Sequence, residues 1–106
     1  MLRSAATGGC RLLLHIINLG EVVYTVGKHL GRDAAEKTRT QIGLLPVEVV
    51  RWSEPLFWHA VALKSQHAMS YADCFAAALA MERGATLLTS DPEFGTVASL
   101  VEVERL

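Results

Sequence analysis

The stretch from Ser70 to Gly84 constrains the fold more than any other part of the chain. It reads Ser-Tyr-Ala-Asp-Cys-Phe-Ala-Ala-Ala-Leu-Ala-Met-Glu-Arg-Gly. Ser70 is placed to N-cap a helix, Asp73 falls at its third position, and Gly84 supplies a left-handed residue after its end. Between those ends nearly every face is apolar, so the helix is expected to be surrounded by other elements rather than laid on a surface. Its alanines permit neighbours to approach closely. The one carboxylate near its head needs a reason, because burying it without compensation is costly. It caps the helix, faces water, pairs with a cation or binds a metal.

The remaining chain alternates strand and helix signals. Arg11–Ile17 is a short, nearly continuous apolar run, as expected of a strand buried on both faces. Asn18 and Glu21 then have capping-box spacing, and Val22, Val23, Val26 and Leu30 recur at helical spacing up to Gly31. Asp33 is expected to cap a second helix running from Ala34 to about Leu45, stopped by Pro46. Val47–Arg51 reads as a strand nearer an edge, and Ser53 with Pro55 opens a third helix. The Ser70–Gly84 helix follows, then a strand over Ala85–Thr89. Asp91 and Pro92 start a further turn or short helix, and Val101–Arg105 alternates like a last edge strand. Met1–Gly9, small and polar, reads as the end of a helix broken by two glycines. This order predicts a single α/β domain over residues 1–106, with a mainly parallel sheet and helices on both faces.

Composition narrows the class. The chain has 106 residues, 51% of them hydrophobic, and a net charge of −1. That excludes a disordered chain and leaves no general basic footprint for nucleic acid. No apolar run approaches the roughly 20 residues of a membrane span, and no secretory signal is recognisable. Cys10 and Cys74 lack metal or redox spacing, which suits reduced thiols in a cytoplasmic setting. There is no P-loop, no dinucleotide glycine fingerprint and no Ser/His/Asp arrangement. His15 reads as a core or edge histidine. Lys28, His29 and Arg32 gather at a helix end that favours cations anyway. Trp52, Phe57 and Trp58 read as core or dimer surface.

Three acids share a context. Glu21 and Asp91 each follow a strand at the start of a helix or turn, and Asp73 begins a helix. Ligands of open α/β sheets bind at the carboxyl ends of strands, where helix N-termini point. Clustered carboxylates there suit Mg²⁺ or Mn²⁺. Each acid alone is better explained as a capping or first-turn residue, and spacing cannot show that they meet.

The strings Leu-His-Ile-Ile-Asn-Leu-Gly-Glu-Val-Val-Tyr, Ser-Tyr-Ala-Asp-Cys-Phe-Ala-Ala-Ala-Leu-Ala and Leu-Leu-Thr-Ser-Asp-Pro-Glu-Phe resemble, in order, the second, third and fourth motifs of PIN-domain nucleases. The nearest resemblance is to toxin subunits of VapBC-type toxin–antitoxin modules. It implies a metal-dependent, cytoplasmic ribonuclease using Mg²⁺ or Mn²⁺, with Glu21, Asp73 and Asp91 as catalytic, metal-holding carboxylates. Thr89 and Ser90 would orient a metal-bound water or act as caps. RNA substrate, a cognate antitoxin and a homo-oligomer are the implied partners. The family begins with a central strand ending in an acid, and no such element precedes Arg11. The expectation is therefore an N-terminally truncated PIN-like domain with impaired cleavage, with an in-frame upstream extension of about 25–40 residues supplying the strand. The alternative is an inactive module acting through protein–protein interaction.

Overall fold

A computed structural model describes residues 4–8, 11–89 and 102–105. In chain order the elements are β1 (Ser4–Gly8), β2 (Arg11–His15), α1 (Ile16–Leu30), α2 (Arg32–Gly43), β3 (Val47–Val50), α3 (Glu54–Gln66), α4 (Tyr71–Arg83), β4 (Thr86–Thr89) and β5 (Val103–Arg105). The sheet order is β3-β2-β1-β4-β5. β2 and β3 pair in parallel, as do β4 and β5, while β1 is antiparallel to both of its neighbours. Four strands therefore share one direction, and the fifth runs against them at the centre.

β1 corrects the expectation of a helix end at Met1–Gly9. The central slot is filled, but by a reversed strand without an acid. Ala6 stands opposite Leu13 on one side and Leu87 on the other. Only two residues separate β1 from β2. So short a connection joins antiparallel strands, whereas a parallel pair needs a crossover of a dozen residues or more. Two buried strands would otherwise leave rows of unpaired N–H and C=O groups, and β1 satisfies both rows.

Helices cover both faces of the sheet. Ala6, Leu13 and Leu87 point to the α3/α4 side and form the main core with Leu56, Ala60, Leu63 and the buried residues of α4. Leu12, Leu14 and Val47 face the other side, against Val22 of α1 and Ile42 of α2. The alternation Leu12–Leu13–Leu14 divides β2 between two layers, as its unbroken apolar run requires.

α4 is enclosed. Its residues from Asp73 to Ala80 are all buried. Ser70 Oγ accepts from the Asp73 N–H at 3.2 Å, and Gly84 takes up the left-handed conformation at φ 58° and ψ 34°. The helix lies over β1, whose Ala6 joins the α4 alanines in the core. β3 and β5 are the sheet edges, as expected. Two helix starts differ from expectation. α1 begins at Ile16, with His15 as its cap, and α2 begins at Arg32 after Gly31, which leaves Asp33 in the first turn.

Candidate functional site

The site is built where two helices begin. α1 leaves the carboxyl end of β2 directly. α4 ends two residues before β4, so its other end, at Tyr71, lies toward the carboxyl edge of the parallel strands. One hydrogen bond joins the two starts: Asn18 Nδ2 donates to the Ala72 carbonyl at 3.0 Å, across 54 positions of sequence. Glu21 follows Asn18 by three residues on α1, and Asp73 follows Ala72 on α4. Of the three acids singled out in the sequence, Asp73 therefore stands in the first turn of α4 and Glu21 in the second turn of α1, one turn beyond the residue that bonds α4.

Their environments differ. Asp73 is wholly buried and Glu21 is half-buried. A carboxylate removed from water must be matched by donors or a cation, and the positive end of α4 favours its charge. The capping role open to Glu21 does not apply. His15 Nδ1 accepts from the Ile17 N–H at 3.1 Å, and the first turn of α1 holds no acid. Glu21 sits in the second turn, so helix capping does not explain it.

Ser90, Asp91 and Glu93 lie outside the described residues. Thr89 ends β4 at the same carboxyl edge, paired with Ser4 of β1 and Arg105 of β5. Among the described residues no three His, Cys, Asp or Glu side chains form a cluster able to hold a metal ion. Carboxylate oxygens such as those of Glu21 and Asp73 are the donor type that hard cations take. Mg²⁺ keeps several waters and commonly takes only one or two protein carboxylates.

The neighbouring groups are not nucleophiles or bases. The His15 ring is buried, 4.8 Å from Phe75, and burial lowers its pKa. With Nδ1 engaged as an acceptor, the neutral ring carries its proton on Nε2. Burial raises the pKa of the Cys74 thiol, with Lys64 opposing the shift and Asp73 adding to it. A buried, protonated thiol is inert. Beside the helix starts lies an aromatic pocket of about 280 Å³, walled by His15, Ile17, Trp52, Phe57, Tyr71 and Phe75. Phe57 is half-buried, while Trp52 and Trp58 are 62% and 57% exposed. The two tryptophans are therefore surface rather than core. Lys28, His29 and Arg32 are exposed around the α1–α2 junction.

Sequence reasoning missed Asn18 as a bridge. An asparagine before a helical pattern reads first as a cap, and its partner lies too far along the chain for any local signal to reveal.

The PIN-domain family model matches residues 3–100. The chain belongs to the PIN-domain family. Solved structures agree on the fold. VapC20 of Mycobacterium tuberculosis, described as a sarcin–ricin loop cleaving toxin, is 20% identical with a TM-score of 0.74; the match covers 92% of this chain and 78% of that one. VapBC2 from Rickettsia felis, solved bound to a DNA fragment from its promoter, is 21% identical with a TM-score of 0.68, covering 88% and 73%. A search of curated proteins finds no match. In this PIN domain, then, the starts of α1 and α4 meet through Asn18 and Ala72, and the central strand runs antiparallel to both neighbours.

Proposed function

We propose that this PIN domain is the toxin subunit of a VapBC-type module, an endoribonuclease that hydrolyses RNA phosphodiester bonds. The observation that supports this reading is the Asn18–Ala72 bond, which ties the first turn of α1, one turn before Glu21, to the start of α4, which carries Asp73. Glu21, Asp73 and Asp91 would hold Mg²⁺ or Mn²⁺, with Thr89 and Ser90 as supporting residues. A bound ion supplies Lewis acidity, lowering the pKa of a water and offsetting phosphate charge. The chain's own part is to place carboxylates. Asp73 is fixed by a buried helix, and Glu21 stands on a helix tied to it. A cognate antitoxin, a homo-oligomer and a cytoplasmic setting belong to the same proposal. No helix among the described residues is long and apolar enough to cross a membrane.

One observation favours a second reading, an inactive interaction module. The reversed β1, Ser-Ala-Ala-Thr-Gly, brings no acid to the centre of the site. The test is calorimetry with Mn²⁺ and Mg²⁺, alongside RNA digestion with and without chelator. We expect weak metal binding and slow, chelator-sensitive cleavage, both lost in Asp73→Asn. Metal binding unchanged after Glu21→Gln, Asp73→Asn and Asp91→Asn together would place the site elsewhere. Metal binding without any cleavage would favour the interaction module.

A further inference from the structure

We propose that Asn18 is a positioning residue that sets the separation of the Glu21 and Asp73 helices, and so the affinity of the site for a divalent ion; this rests on the carboxylate-site reading above. Asn18 is only 2% exposed, in the first turn of α1. Asparagine is a poor helix former, and its usual merit is capping. Here His15 does the capping. What Asn18 does instead is donate from Nδ2 to the Ala72 carbonyl.

The bond also sets the amide's orientation. Only the NH₂ end can donate to a carbonyl, so the flipped side chain would set two acceptors against each other. The oxygen is thereby held at a defined place. Asn18 Oδ1 is buried and has no hydrogen-bond partner among the described residues. A buried amide with one end tied to the backbone beside Asp73, one turn from Glu21, is arranged as an outer support for a metal site. Removing such supports typically weakens metal affinity about 10- to 100-fold.

The test uses the full chain with Mn²⁺ as probe. Asn18→Leu keeps the length of the side chain and removes the donor; Asn18→Ala is the second variant should Leu not fold. Ser53→Ala removes the remote cap of α3 and serves as a destabilised control. Calorimetry is run where circular dichroism shows each variant folded. Amide exchange at Asp73 and Cys74, whose N–H groups bond Ser70 Oγ and the Ser70 carbonyl, gives a readout independent of metal. We expect Mn²⁺ affinity to fall at least tenfold in the Asn18 variants, with faster exchange at both amides, and Ser53→Ala to change neither. Wild-type affinity in a folded Asn18 variant would overturn the proposal. If the wild-type chain binds no Mn²⁺, the carboxylate-site reading fails. The exchange rates then decide whether Asn18 clamps α4 at all: unchanged rates refute the clamp, and faster rates uphold it.

Discussion

His15 makes stability depend on pH in a direction that the structure determines. Its ring is buried and its pKa lowered by that burial. Nδ1 is occupied as the acceptor of the Ile17 N–H, so a proton arriving there would break the cap of α1. In the unfolded chain the same ring titrates near the ordinary value, about 6.5. As pH falls below that value, the unfolded state takes up a proton that the folded state refuses. Stability is thus full above about pH 6.5 and is lost as the pH drops toward the lowered folded pKa. For one proton, with the folded ring neutral throughout, the loss between pH 7.5 and 5.5 is at most about 1.4 kcal/mol. That is a sizeable part of the 5–15 kcal/mol typical of a domain. Urea unfolding at pH 7.5, 6.5 and 5.5 measures it. The variant His15→Asn puts a side chain there that does not ionise and is still a good N-cap. Subtracting its curve removes whatever pH dependence the two chains share. We expect the wild-type chain to lose about 1 kcal/mol more than His15→Asn over that range. Equal losses would refute the assignment of a buried, neutral His15.

Other perturbations test the frame around the site. Leu87 is fully buried on β4 opposite Ala6, and Leu87→Ala should cost about 2–5 kcal/mol in urea unfolding, as large-to-small core changes do; a loss well under 1 kcal/mol would contradict the central packing. Gly84→Ala puts a Cβ on a residue at φ 58° and should cost about 1 kcal/mol, read as a lowered midpoint with unchanged m-value. With Trp52 and Trp58 both exposed beside the aromatic pocket, the chain should self-associate. Sedimentation should show a concentration-dependent oligomer that Trp52→Ser with Trp58→Ser dissolves, and a concentration-independent monomer in the wild type would count against it.

Much of the frame around the candidate site is legible in the sequence because capping chemistry is local. Ser70, Asp73 and Gly84 bracket α4 within fifteen positions, and Ser53 with Pro55 marks the start of α3; each pattern acts through backbone groups a few residues away. The strand–helix alternation likewise leads to the layered sheet. Glu21 is found through the motif it resembles, but its place in the helix is not. Asn18 has the spacing of a capping box with Glu21, yet His15 takes the cap one turn earlier.

What the sequence alone determined, then, is the order of the elements from β2 to β4, the start of α3, both ends of α4, and the identity of the acids available to a site. Tertiary structure decided three things. Ser4–Gly8 has small side chains and almost no strand pattern of its own; it is a strand because β2 and β4 present ladders on both sides that need partners. Its reversed direction follows from that pairing together with the two-residue link to β2. Asn18 became a bridge rather than a cap because the buried start of α4 brings the Ala72 carbonyl within 3.0 Å. These contacts join residues distant in sequence, and their hydrogen bonds exist only once the sheet and α4 are packed together.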